Sequence, residues 1–130
     1  MYNYEQDYIM RIIQEIVRAL MKLLFNIDSV GSPSCYLENE ATQNQYNELI
    51  RLVDQQKINE AENKLYKILE TDEKENLKLS LLFYDYLNNF DENYLHEADY
   101  SRAEIELGIK TVAEMYGYED FVSMFLFQPA

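Results

Sequence analysis

Reactive side chains are scarce in this 130-residue chain, which has one histidine, His96, and one cysteine, Cys35. A carboxylate-bridged metal site needs Glu three residues before its histidine, but Asn93 stands at that position. A zinc site of the His-Glu-x-x-His type needs a second histidine where the chain has Tyr100. Cys35 follows Ser-Pro-Ser, with no basic residue nearby to lower its pKa. We therefore interpret both residues as structural or surface groups and predict neither a metal ion nor any other cofactor.

The spacing of the glycines shows whether the chain contains a phosphate-binding loop, and the positions of adjacent acidic residues show whether they could be catalytic. The three glycines, Gly31, Gly108 and Gly117, are too far apart for a phosphate-binding loop or a dinucleotide fingerprint. Adjacent carboxylates such as Asp91 with Glu92 fall where helices are predicted to start, and there they favour the helix dipole. No catalytic residues emerge, so we predict a protein that is not an enzyme.

The charge balance limits the classes of partner. Twenty-four acidic and eleven basic residues give a net charge of −13, which repels nucleic-acid phosphates, so we predict no nucleic-acid binding. A lone cysteine and the lack of an opening apolar run favour the cytoplasm. With 48% hydrophobic residues and few Gly or Pro residues, the composition favours an all-α fold, and the length favours a single domain over residues 1–130.

The elements that would form this domain begin with a long N-terminal helix over residues 4–26. Five polar side chains interrupt its apolar stretch after the first turn and fall within an arc of about 100°, leaving roughly 260° apolar, more than a surface helix needs to dock on its core. They are Arg11, Gln14, Glu15, Arg18 and Lys22. A loop over residues 27–41 follows, because Gly31 and Pro33 oppose a continuing helix.

Residues 42–126 are predicted to form antiparallel helical hairpins packed on the N-terminal helix, giving a bundle of about five or six helices. Helices are predicted to start near residues 43, 59 and 75, so two helices form a hairpin that repeats about every 32 residues. This period is close to the ~34 residues of the tetratricopeptide (TPR) repeat, so the predicted arrangement is TPR-like in shape. The Trp, Gly and Pro landmarks of that repeat are absent.

Local signals place several helix ends. Asn59 with Glu62 and Ser101 with Glu104 predict capping boxes, and Asp91 predicts the cap of a short helix. Thr71 or Asp72 can cap the helix over residues 74–89. Gly117 predicts a helix end, whereas Gly108, inside the same helix, predicts the close approach of a neighbouring backbone.

Three segments resemble a family of small, acidic, all-helical proteins of Gram-positive bacteria. They are Tyr4-Glu5-Gln6-Asp7-Tyr8-Ile9-Met10-Arg11-Ile12-Ile13, Asn59-Glu60-Ala61-Glu62-Asn63 and Leu81-Leu82-Phe83-Tyr84-Asp85-Tyr86-Leu87. The resemblance implies a domain of unknown function and assigns no catalytic residues.

The surplus apolar arc of the N-terminal helix carries the functional hypothesis. If Met10, Ile13, Val17, Leu20 and Leu24 face the core, a second apolar flank remains for a partner. That predicted interaction surface comprises Tyr4, Tyr8, Ile12, Ile16, Ala19 and Leu23. It would bind another protein or form a homodimer; tyrosine, with twelve copies in the chain, is common at interfaces. The alternatives are a monomer that encloses this helix completely and peripheral binding of the helix to a membrane, which the negative charge disfavours.

Overall fold

The computed structural model describes residues 4–28 and 36–126, and it describes side chains from residue 7 onwards. These residues form seven α-helices and no strand, so the predicted all-α bundle is confirmed, with one helix more than the upper estimate. The helices are α1 (Tyr4–Phe25), α2 (Glu40–Asp54), α3 (Ile58–Ile68), α4 (Lys74–Asn88), α5 (Glu92–Glu97), α6 (Arg102–Met115) and α7 (Glu119–Leu126).

Helix α4 lies at the centre of the bundle. It packs on α1, α2 and α6, and its buried side chains run without a break from Asn76 to Tyr84. A helix that is apolar around most of its circumference must be enclosed by other elements. The α2–α3 hairpin packs against one side of α4, while α1 and α6 pack elsewhere on it and α7 covers α1 and α6.

Helix ends follow the sequence signals where those signals are local. The side chain of Asp91 accepts a hydrogen bond from the Tyr94 backbone N–H at 2.8 Å, and Ser101 Oγ accepts one from the Glu104 N–H at 3.3 Å. Gly117 has a positive φ of 83° just after α6. The predicted caps Asp91 and Ser101 and the predicted stop at Gly117 are therefore confirmed.

The predicted caps of α3 and α4 are both wrong. The side chain predicted to cap α3 binds another segment of the chain, and the residues predicted to cap α4 lie before its capping position. Asn59 lies inside α3, and its Nδ2 donates to the carbonyl oxygens of Ala98 and Asp99 at 3.4 and 3.1 Å. At the start of α4 the capping position is Glu73, which makes no side-chain capping bond, so neither Thr71 nor Asp72 holds that position. Thr71 Oγ1 instead donates to the Ile68 carbonyl oxygen at 3.1 Å.

Hydrogen bonds join α4 to the part of the α1–α2 connection that precedes α2. Glu75 accepts hydrogen bonds from the backbone N–H of Glu38 at 2.8 Å and from Thr42 Oγ1 at 3.2 Å, so a carboxylate on α4 lies at the start of α2, whose cap is the side chain of Asn39. Lys78 Nζ donates to the Tyr36 carbonyl oxygen at 2.8 Å. Gly31, Pro33 and Cys35 lie outside the described residues.

Candidate interaction surface

One side of α1 is held against α4. Asn88 Nδ2 donates to the Met10 carbonyl oxygen at 2.9 Å, and the ammonium group of Lys78 lies 5.0 Å from the centre of the Phe25 ring. Arg18 is close enough to Asp85 to lower the pKa of that carboxyl, although burial raises it more. These contacts place the arc of α1 that contains Arg18 and Phe25 next to α4.

The predicted core flank of α1 is enclosed as expected. Ile13, Val17 and Leu20 are buried, and Met10 and Leu24 are half-buried. The apolar periodicity therefore identified the residues that face the core.

Ile16 does not belong to the exposed surface on which the sequence analysis placed it. Only 1% of its surface is exposed. At 100° per residue it lies opposite Phe25 on the helix circumference, away from the contacts with α4; α6 and α7 also pack on α1. The prediction that Ile16 belongs to the interaction surface is therefore wrong. The sequence does not show how far the other helices extend around α1.

The rest of the predicted surface forms an apolar stripe along the outer side of α1. Tyr8 is 49% exposed and Leu23 is 59% exposed, while Ile12 and Ala19 between them are half-buried. We call these four residues the outer stripe. Tyr4 is the first residue of α1, but its side chain lies outside the described side chains. Helix α1 is thus enclosed over most, but not all, of its apolar circumference.

Helix α7 contributes apolar surface on a neighbouring element. It packs on both α1 and α6, burying Val122 and half-burying Phe121 and Phe125. Met124 points outwards and is 75% exposed. Helix α7 thus docks on the core of its own chain through Val122, whereas Met124 remains available to a partner.

The polar side of α1 is electrically balanced. Its 22 residues carry three acidic and three basic side chains, so the whole net charge of −13 lies in the rest of the chain. Arg11 forms an ion pair with Asp7 at 2.6 Å, and Lys22 forms one with Asp28. Helix α1 therefore carries no net charge, and the same is true of α3 and α4.

A second group of residues joins α6 to the end of α4 through a buried arginine that the sequence analysis missed. Arg102 Nη1 donates to the Asn88 carbonyl oxygen at 2.7 Å, and Nη2 donates to the Phe90 carbonyl oxygen at 2.8 Å. Its Nε, 3.9 Å from a Glu92 oxygen, has no hydrogen-bond partner among the described residues. Burial lowers the pKa of Arg102. The available signal was its spacing to Ile105 and Ile109, which puts it on the buried side of α6.

Two tyrosines and a carboxylate form a third polar group between α3, α4 and the connection from α5 to α6. Glu62 accepts hydrogen bonds from the hydroxyls of Tyr84 at 2.6 Å and Tyr100 at 2.9 Å. Burial, followed by the charge of Glu62, raises the pKa of both tyrosines. The arrangement stabilises neutral tyrosines, so it provides internal hydrogen bonding and no activated nucleophile.

A shallow groove of about 460 Å³ lies between α2 and α3. Leu49 and Ile68 contribute apolar surface to it, and Lys64 pairs with Glu48 across it at 3.5 Å. His96 is exposed and lines a separate polar cleft with Asn59 and Glu104. Within the described residues, no three His, Cys, Asp or Glu side chains are grouped as metal ligands would be.

Comparison with known proteins gives a family and no function. No curated protein and no solved structure matches this chain. Within residues 4–28 and 36–126, no helix combines the length and apolar character needed to cross a membrane. A family model described as a family of unknown function, DUF6483, matches residues 3–117, a range that includes α1 to α6 and ends before α7. The chain therefore belongs to DUF6483, a family whose function is unknown.

Proposed function

We propose that this protein is a non-enzymatic association module that binds a second protein molecule, in the first place another copy of itself, through the outer stripe of α1. One observation carries the proposal. The outer stripe leaves Tyr8 and Leu23 about half exposed on a helix whose remaining apolar circumference is enclosed. Exposed apolar residues that line up along one helix typically mark a site of helix docking.

The neutral charge of α1 supports the same surface. The whole chain has a net charge of −13, whereas α1 carries equal numbers of acidic and basic residues. Like charges that face each other across an interface oppose binding. The helix that bears the outer stripe therefore adds no net charge of its own to the repulsion between two copies.

The size of the surface predicts weak association. Complete burial of a large apolar side chain contributes about 1.5–3 kcal/mol. Because Tyr8 and Leu23 are already half buried, four such side chains in a dimer contribute roughly 3–6 kcal/mol before losses of about 4 kcal/mol or more on association. Ile12, Ala19 and Met124 must add to this, and we expect dissociation constants in the micromolar to millimolar range.

Light scattering over a wide range of concentration tests the proposal. We expect the apparent mass to rise above the 15.5 kDa of one chain as the concentration approaches millimolar. Leu23→Glu should keep the protein monomeric. Leu107→Glu is the matched control, because Leu107 is also a highly exposed leucine, at 61%, but lies on α6. A mass of one chain at every concentration would exclude self-association and leave the enclosed monomer.

Peripheral membrane binding is the remaining alternative for the same helix, and the ion pairs of Arg11 and Lys22 oppose it. Both basic side chains already have carboxylate partners in the fold, so fewer free positive charges face an anionic lipid surface. Flotation with anionic liposomes distinguishes the two functions, since the proposal expects the protein to stay in the unbound fraction.

A further inference from the structure

Helix α7 lies in the groove where α1 and α6 pack against each other, since each of these three helices contacts the other two. We call this the α1–α6 groove. Val122, in the middle of α7, is fully buried, and Phe121 and Phe125 lie half-buried beside it with their ring centres 5.5 Å apart. These positions share one face of α7, which is the pattern of an amphipathic helix docked in an apolar groove.

The turn between α6 and α7 closes through Gly117. The φ of this residue is 83°, and the backbone N–H of Tyr118 donates to the carbonyl oxygen of Ala113 at 2.7 Å, which is the hydrogen bond of a Schellman motif. A Cβ atom at position 117 would meet no atom of another residue within 4 Å, apart from its chain neighbours. Because Gly117 is also exposed, this turn can change its conformation without displacing the core.

Helix α7 is attached differently from the helices that form its groove. Buried hydrogen bonds connect α6, α4 and α1, from Arg102 to Asn88 at 2.7 Å and from Asn88 to Met10 at 2.9 Å. Helix α7 is held by apolar side chains, and among residues 119–126 only Val122 is fully buried. Eight residues are too few for a helix to be stable alone in water. Helix α7 therefore depends on the groove for its structure.

The residues that match the family model end at this same glycine. The matched range, residues 3–117, includes both helices of the α1–α6 groove, and the segment that occupies the groove follows it. We infer that α1 to α6 fold as a unit without α7, and that the α1–α6 groove is a docking site for an amphipathic helix, which α7 of the same chain fills as a releasable segment. This inference does not rest on the outer stripe of α1.

Hydrogen exchange of the unmodified protein tests whether α7 opens by itself. The backbone N–H of Val122 donates to the Tyr118 carbonyl oxygen at 3.2 Å, so its exchange reports the opening of this helix. We expect the α7 amides to exchange at least about a hundredfold faster than the most protected amides of α4. Equal protection of the two helices would show that they open only together and would overturn the inference.

Two glycine substitutions separate the release of α7 from global unfolding. Alanine at position 117 has room but disfavours a positive φ, so Gly117→Ala should accelerate exchange in α7 by about tenfold and leave α4 unchanged. Alanine at position 108 would meet the ring of Tyr84, so Gly108→Ala should accelerate exchange throughout the bundle. If Gly117→Ala accelerated exchange in α4 as much as in α7, the inference would fail.

A peptide tests the groove as a docking site. Val122→Asp in the full chain places a carboxylate in the α1–α6 groove, so it should detach α7 while α1 to α6 keep their helical circular dichroism. A synthetic peptide of residues 117–126 should then shift the NMR signals of α1 and α6. It should bind the unmodified chain at least about tenfold more weakly, because the tethered α7 competes at an effective concentration of roughly millimolar.

The same peptide with Val122→Asp is the control and should cause no shifts. Complete unfolding of the Val122→Asp chain would show that α7 belongs to the cooperative core. A folded Val122→Asp chain that does not bind the unmodified peptide would show that the groove is not a docking site. Either result would overturn the inference.

Discussion

Arg102 donates two hydrogen bonds through Nη1 to Asn88, one to its backbone carbonyl oxygen at 2.7 Å and one to its side-chain Oδ1 at 3.2 Å. Asn88 in turn donates from Nδ2 to the carbonyl oxygen of Met10 at 2.9 Å. A single chain of hydrogen bonds therefore connects α6, the end of α4 and α1. This connection helps to hold the helix that bears the outer stripe.

Arg102→Met should destabilise the fold strongly. The substitution removes the donors for the buried carbonyl oxygen of Asn88 and the partly buried carbonyl oxygen of Phe90. Loss of hydrogen bonds to a buried charged group costs about 2–4 kcal/mol in the free energy of unfolding. Urea unfolding measures it, with Arg51→Met as a control because Arg51 pairs with Glu48 at the surface. Equal effects of the two substitutions would contradict a structural role for Arg102.

Gly108→Ala should destabilise the protein although alanine is the better helix former. A Cβ atom at position 108 would lie 2.4 Å from Cζ of Tyr84, whose ring is fully buried. The close neighbour is therefore a side chain, and the backbone approach predicted from the sequence is wrong. We expect a loss of about 1–3 kcal/mol, since overpacking outweighs the ~1 kcal/mol gain in helix propensity. An increase in the thermal midpoint would show that Tyr84 can move aside.

Ile16→Glu and Leu23→Glu should separate folding from association. Ile16 is buried, so a carboxylate there should cost several kcal/mol and unfold the monomer. Leu23 is mostly exposed, and a carboxylate there should leave the helical circular dichroism and the thermal midpoint almost unchanged. If Leu23→Glu also unfolded the protein, Leu23 would have a role in the core that its exposure does not indicate.

The buried tyrosines should make the fold unstable at alkaline pH. Burial and the neighbouring Glu62 raise the pKa of Tyr84 and Tyr100, and burial together with the hydrogen bond to Asp54 raises the pKa of Tyr86 to about 12. An unfolded tyrosine ionises near pH ~10, so the unfolded state loses protons first. Stability is therefore complete below about pH 10 and falls as the pH rises towards about 12. Urea unfolding between these values should show the decline, and Tyr84→Phe should reduce its slope.

Asp85 should act in the same direction as the tyrosines, but at lower pH. Burial raises the pKa of its carboxyl, and the charge of Arg18 only partly offsets this. Stability from this group is present below the unfolded pKa of about 3.9 and is lost as the pH rises through the folded pKa. Asp85→Asn should therefore increase the free energy of unfolding at neutral pH, with little difference in acid. Destabilisation at neutral pH would show that the contact with Arg18 outweighs burial.

The sequence by itself determined the all-α class, the core residues of α1 and several helix ends. These properties depend on positions within about one or two turns of each other. The apolar period placed Ile13, Val17 and Leu20 in the core, and the local hydrogen bonds of Asp91 and Ser101 formed where the sequence indicated. A helical period and a capping bond require no information from distant parts of the chain.

Only the tertiary structure decided which part of the second apolar flank of α1 stays accessible. Ile16 is buried while Leu23, seven residues later and close to the same angle, is exposed, because covering helices come from residues about a hundred positions away. The sequence could not predict the partners of Asn59, Gly108 and Arg102 for a related reason. Each depends on a contact with another segment of the chain, and the type of a residue does not specify which segment will pack beside it.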